Sequence, residues 1–396
     1  MASVRSPGVY RIETAIPPLA PLDTGIAAFL GYADTRIERS GPTPLTLWSQ
    51  FDAVYDVPAD GYLRASVQAF FENGGGRCWV VPLREVDDHG DVVAPLPALQ
   101  AGLGALTDVE DVDLVCFPDA MRRPGGYPVD PDAVNALQTA LVADCDRDGT
   151  RLAILDALPA GTGSALAYAA ALAGPTWLDQ RSRFDSPNAA LYTPWVRPVG
   201  RTDFVPPCGY VAGVVARTDA ATGVHKAPAN EQLLGAVDLE AAFGDADNAM
   251  LNDAGVNCLR AFPGRGLLVW GARTVSSDPT WLYVNVRRIF LTAARWIAWH
   301  LDTLVFEPND ESLWASLRLT LTVYLTGLQR AGALRGATPQ EAFYVKCDAE
   351  NNGPDVRDAG QVVVEIGLAT AAPNEFVVVH IIRVAGGVTV TTAGPT

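Results

Sequence analysis

Residues Gly255 to Trp314 read GVNCLRAFPGRGLLVWGARTVSSDPTWLYVNVRRIFLTAARWIAWHLDTLVFEPNDESLW, and this stretch decides the fold. It opens on a glycine-punctuated apolar strand. In the loop after it, Asp278 is placed to cap a helix and Pro279 to open it. Tyr283, Val286, Ile289, Phe290, Ala293, Trp296, Ile297 and His300 then recur at the spacing of one apolar helix face. A short apolar strand over 303–306 comes next. Asp310 caps a second helix, whose inner face carries Leu313, Trp314, Leu317, Leu321, Tyr324, Leu325 and Leu328. Strand, helix, strand and helix at this density make a folding core.

Working outward, a chain of 396 residues has room for two domains. Hydrophobic residues at 49% and charged residues at 19% fit an ordered globular protein. No apolar run reaches the roughly 20 residues of a membrane span, so no membrane insertion is expected. The N-terminus, MASVRSPGVY, lacks the profile of a secretory signal, and a cytoplasmic location is expected. The net charge of −16 is uneven. Residues 251–396 hold 12 Lys and Arg against 13 Asp and Glu, a net of −1, and residues 1–250 hold 17 against 32, a net of −15. That balance argues against a nucleic-acid partner and suits a solvated outer surface for the first part. Six cysteines, Cys78, Cys116, Cys145, Cys208, Cys258 and Cys347, lack metal-ligand spacing and read as buried reduced thiols.

Residues 6–16, SPGVYRIETAI, predict a short extended segment with Val9, Tyr10 and Ile12, stopped by Pro17, Pro18 and Pro21. It has no local strand partner. It can be an edge strand of the chain's own sheet or an arm that pairs with another subunit. Strands are expected over 24–33, 42–47, 77–82, 113–117, 151–155 and 188–196. Helices are expected over 48–55, 61–72, 132–146, 163–174 and 209–217. Residues 84–110 read as a polar surface loop. Alternating strands and helices imply a mainly parallel sheet with right-handed crossovers, an α/β domain. Near the C-terminus, Phe343 to Cys347 (with Val345) and Gln361 to Ile366 (with Val362 and Val364) predict a hairpin across a polar loop, 348–360. Pro373 and Asn374 break the chain before a long strand through Phe376, Val378, His380 and Ile382, and Gly386-Gly387 loosens the tail beyond it. A terminal strand of this apolarity must pair, within the fold or with another subunit. Arg287, Arg288 and Arg295 fall off the apolar face of the first core helix, and Arg318 and Arg330 lie on the second.

No constellation of catalytic residues assembles from this pattern. Asn73-Gly-Gly-Gly76 is a helix stop rather than a phosphate cradle, since the Lys and Ser or Thr of a P-loop are missing. His89, in DDHGDV, lacks a matching nucleophile block. Ser164 opens a predicted helix after glycines, where a cap explains it as well as a nucleophile does. Glu307 and Asp310 could form a carboxylate pair, but capping accounts for Asp310. His225, His300 and His380 are scattered, and no cofactor or metal is expected.

Several blocks, in order, resemble the contractile tail sheath family of phages, R-type tailocins and phage-tail-like injection systems. They are FFENGGGRCWVV, PPCGYVAGVVARTDAATGVHKAPAN, GVNCLRAFPGRGLLVWGART, SSDPTWLYVNVRRIF, VFEPNDESLW and GATPQEAFYVKCD. His225 departs from the pattern, which has an aromatic there. The resemblance implies an N-terminal arm over 1–22, an outer subtilisin-like α/β domain over 23–250, a C-terminal α+β core domain facing a tube over 251–373, and a C-terminal arm over 374–396. It implies exchange of the arms between neighbours, with Val9, Tyr10, Ile12, Phe376, Val378, His380 and Ile382 as donated strands. The accepting hairpin would use Phe343, Val345, Cys347, Val362, Val364 and Ile366. It implies self-assembly into stacked rings, with an inner tube protein, a baseplate and terminator or cap proteins as partners. The length suits a minimal sheath. Arg287, Arg288, Arg295, Arg318 and Arg330 are the tube-facing candidates. The competing reading is an α/β hydrolase with a subtilisin-like domain.

Overall fold

The computed structural model describes residues 22–36, 41–85, 93–122, 129–160, 177–301 and 307–373, with the backbone of 378–384 and 387–393. Nine strands form its main sheet: β1 (Ala27–Tyr32), β2 (Thr43–Leu45), β3 (Cys78–Leu83), β4 (Leu114–Cys116), β5 (Leu152–Asp156), β6 (Ala189–Thr193), β7 (Glu231–Gln232), β8 (Val256–Phe262) and β9 (Gly266–Val269). Their spatial order is β7-β9-β8-β6-β5-β4-β1-β3-β2. The six central strands are parallel, and β2, β9 and β7 add antiparallel at the two ends. The fold is α/β, as the alternation predicts.

Helices cover both faces. On one lie α1 (Leu63–Glu72) and α4 (Cys208–Ala221); on the other, α2 (Pro95–Ala105) and α3 (Pro131–Asp148). Strand β1 shows why both are needed. Ala27 and Phe29 point into the first layer, and Ala28, Leu30 and Tyr32 into the second, all buried. A central parallel strand buries both its faces and reads as one apolar run. Helix α3 is bounded as its sequence directs. Asp130 accepts from the Asp132 amide, Pro131 opens the first turn, and Gly149 ends it at φ 71°. Helices α1 and α4 touch because Gly209 and Gly213 carry no side chain. A Cβ on Gly209 would stand 2.2 Å from the Ser66 carbonyl oxygen, and one on Gly213 would stand 2.6 Å from that of Phe70.

The two core helices are α5 (Val284–Leu301) and α6 (Glu311–Arg330). Asp310 caps α6 as expected, accepting from the Ser312 and Leu313 amides. Asp278 caps only a short 3-10 turn, Pro279–Trp281, and α5 starts after it. Trp296 of α5 stacks on Tyr324 of α6 with centroids 3.8 Å apart and joins the two helices.

Some expectations fail. Residues 84–110 are not all loop, because α2 lies within them, with Leu99 and Leu103 buried against the sheet. Its start lacks a side-chain cap and opens on Pro95, so the polar flanks hid it. The main sheet runs on through β8 and β9, past residue 251. The expected helix over 163–174 and strand over 303–306, with Ser164 and His89, lie outside the described residues.

Candidate assembly interface

Strands β10 (Phe343–Lys346) and β11 (Glu365–Leu368) form a separate antiparallel sheet of two, with Val345 opposite Ile366. The expected hairpin is therefore present with its second strand shifted. Val362 and Val364 precede β11 and pack instead against Leu313, Trp314, Leu317 and buried Cys347 under α6. The cause is Asn352. Its amide donates to the Val363 carbonyl at 3.0 Å, and its oxygen accepts from the Val363 N–H at 2.7 Å. The side chain thus takes the backbone bonds that a longer strand would use. The intervening loop also holds a short helix, Pro354–Asp358.

Beyond Pro373, β12 (Val378–Val384) pairs antiparallel with β13 (Gly387–Ala393). Gly387 opens a strand here and does not loosen the tail. Val9, Tyr10, Ile12 and Phe376 lie outside the described residues, as do the side chains of Val378, His380 and Ile382.

The five arginines divide. Arg288 does not face outward: it is 2% exposed and clamped between carboxylates from two elements. Its Nη1 and Nη2 donate to the two oxygens of Asp219 at 2.8 and 2.6 Å, and Nη2 reaches Asp113 Oδ2 at 2.8 Å. Burial opposes its charge, but Asp219 and Asp113 outweigh burial and hold the guanidinium above its ordinary pKa. Arg295 is also buried, donating to the Asp111 carbonyl at 3.1 Å, and its Nη2 lies 3.6 Å from Asp113. Burial lowers its pKa. Sequence spacing placed both off the apolar face. In fact Val284, Arg288, Leu291 and Arg295 form a second buried stripe beside the apolar one. Buried carboxylates make this stripe tolerable for cations. Arg287 is half-buried, donates to Asn188 Oδ1 at 2.7 Å and lies over Trp281. Arg318 is half-buried and donates to the Cys347 carbonyl. Arg330 is exposed at the end of α6. Between Ser312 and Gly327 the exposed residues of α6 carry no charge, and Leu319 and Val323 are 55% and 42% exposed.

The sheet's carboxyl edge is where an α/β fold places ligands. There Asp156 accepts from the Cys208 amide at 2.7 Å at the start of α4. Burial lifts the Asp156 carboxyl to about 7 and pushes the Cys208 thiol up, the opposite of an activated nucleophile. Asp119 is similar. Burial lifts it to about 6, while it accepts from the Tyr32, Tyr62 and Leu63 amides and caps α1. These carboxylates position helices, and the hydrolase alternative finds no support. No group of three His, Cys, Asp or Glu that could hold a metal occurs among the described residues. None of their helices is long and apolar enough to cross a membrane. At the strands' amino ends lies a cleft of about 690 Å³, lined in part by Leu22, Asp23, Arg77, Arg151, Ala298 and half-exposed Trp299.

The body thus carries helix-capping acids at its carboxyl edge and a separate two-stranded sheet. The chain matches the phage tail sheath protein central domain over residues 98–275 and the phage tail sheath C-terminal domain over residues 276–382, and it belongs to the tail sheath family. It is 30% identical over 190 residues to the tail sheath protein of Vibrio phage KVP40, an alignment covering 46% of this chain and 27% of that protein. The chain thus spans about a quarter of the length of such phage relatives. Its fold matches a chain of the contracted helical sheath of the anti-feeding prophage at a TM-score of 0.73 and 28% identity, covering 97% of this chain and 100% of that one. A chain of the anti-feeding prophage baseplate structure matches at 0.74 and 28%, covering 96% and 99%.

Proposed function

We propose that this protein is the structural sheath subunit of a contractile injection particle. Copies polymerise into a helical sleeve around an inner tube, and contraction of the sleeve drives the tube forward. The observation that carries this reading is the β10–β11 sheet, which among the described residues has no third strand, only the Leu334–Thr370 bridge past the end of β11, on a body with short, blunted sheet ends. The sheet packs on α6 through Phe343, Val345, Ile366 and Leu368, and its edges can accept added strands. The 9–12 segment of one neighbour and the 376–382 segment of another would supply them, each backbone bond contributing about 1 kcal/mol net. In this reading 1–22 and 374–396 are the arms, the outer domain expected over 23–250 extends through β8 and β9, and the rest of the expected 251–373 domain faces the tube. The similar sheath and baseplate chains support further copies and a baseplate as partners; a tube protein and a terminator or cap are the further partners that a sleeve requires. The switch is a change of interface sets without covalent chemistry, so the subunit needs no hydrolytic activity. Assembly takes place in the cytoplasm.

Of the arginines, Arg287, Arg318 and Arg330 remain as tube-facing candidates. The uncharged outer side of α6 favours an apolar contact over an ionic one.

The test is deletion of residues 1–16. The truncated protein is expected to stay a folded monomer and to form no sleeves by negative stain, with or without tube. Contractile sleeves from the truncated protein would refute arm exchange. A full-length chain that stays monomeric at high concentration with tube present would refute the whole reading.

A further inference from the structure

The body ends in a tightly pinned segment just before the C-terminal arm. Arg335 N–H donates to the Ala369 carbonyl at 2.7 Å, Ala369 N–H donates to the Ala342 carbonyl at 2.9 Å, and Thr370 bridges Leu334. The last tie is a side chain. Asn285, in the first turn of α5 and 1% exposed, donates from Nδ2 to the Ala371 carbonyl at 3.3 Å and to the His225 carbonyl at 2.8 Å. Its Oδ1 is buried without a hydrogen-bond partner. The residue is held for its two donors, and one amide joins the 225 loop, α5 and the segment ending at Pro373. Pro373 has no N–H to give.

We infer that Asn285 is the positioning residue that fixes where the C-terminal arm leaves the body. The choice of side chain comes from the two carbonyls it serves. Asp offers only acceptors once ionised and would face two carbonyl oxygens, while Leu would leave both without a donor. Arg288 seals the same helix to Asp219 and Asp113 one turn further on, so Asn285 is presented by a fixed element. With the tie in place the arm pivots at residues 372–373. Without it the pivot retreats towards the Leu334–Thr370 bridge. The direction of the arm sets how one subunit sits on the next. The positioning role rests on the arm-exchange reading, whereas the tie itself does not.

The experiment compares Asn285→Asp and Asn285→Ser with the native full-length chain, by hydrogen exchange on the monomer and by electron microscopy of assembled sleeves. Exchange over 369–371 is expected to rise at least about tenfold, with protection of β8 and β9 unchanged. Sleeves, where formed, should show a shifted or broadened twist per subunit. If one variant fails to fold, the other gives the answer. Unchanged exchange over 369–371 overturns the tie. Raised exchange with native sleeve geometry overturns the positioning role and leaves arm exchange standing. Should arm exchange itself be wrong, the exchange measurement still decides the tie.

Discussion

The main sheet ends in strands of two and three residues, one of them carrying Pro44, while β10–β11 ends in two strands of four with no further strand paired to them among the described residues. Short edges and an edge proline stop a sheet from growing. Open edges invite growth. The larger sheet is also closed inside, with buried Arg288 paired to Asp113 and Asp219 from elements far apart in sequence. The smaller keeps Tyr344 at 53% exposure on one face and covers only the small cluster of Leu325, Leu334 and Ala342 on the other. Under the proposed arm exchange, one region stays the same whatever the neighbours do, and the other depends on them.

That contrast can be broken first at the buried charges. Arg288→Leu would leave buried Asp219 without its cation and Asp113 with only the more distant Arg295, and a loss of about 3–5 kcal/mol is expected from the urea midpoint. A loss under about 1 kcal/mol would mean that the body is not held by this cluster.

The next effect depends on pH. Asp156 and Asp119 have folded pKa values of about 7 and about 6, raised by burial above the ordinary carboxyl value of 3.8. Their stabilising contribution is therefore complete below about pH 4 and is lost as pH rises to 6 and then 7. Asn at 156 can still accept from the Cys208 amide. Asp156→Asn should gain roughly 2–4 kcal/mol over the native protein at pH 8 and nothing at pH 4. An equal effect at both pH values would show that this carboxyl does not titrate across that range.

A smaller stability effect, with a large effect on assembly, is expected at β12. Val378→Pro removes a ladder donor, yet unfolding of the body should shift by less than about 0.5 kcal/mol while sleeves disappear from micrographs. Sleeves of normal length would mean that this strand is not donated. The smallest change concerns the tube. Capture of tube by Arg330→Ala should fall less than about threefold, and raising salt from about 0.1 to 0.5 M should matter little. A steep salt dependence would return the contact to the arginines.

Much of the body was legible because its signals are local. Asp310 three residues before Leu313, and the strand–helix alternation from 112 to 217, need only neighbours in sequence to be read. Helix α2 was not, since Pro95, Pro97 and two glycines weaken its pattern and no side chain caps it. Arg288 was misread for a different reason. Its partners lie 69 and 175 positions away, and periodicity cannot say that a carboxylate waits opposite a charged position. Asn352 raises the same difficulty for β11, because a side chain stands where a strand was expected.

Helix α5 has one further consequence. At its first turn Asn285 holds Ala371, and at its last turns Ala298 and Trp299 share the cleft wall with Leu22 and Asp23. The roots of both terminal segments therefore sit at opposite ends of one rod of 18 residues, about 27 Å long. A pull on either segment would travel along that rod, which Arg288 fixes to α4 and to Asp113 just before β4, and Arg295 to the Asp111 carbonyl. Under the proposed arm exchange, tension would pass from neighbour to neighbour through a chain of such tie rods while each body rides along undeformed.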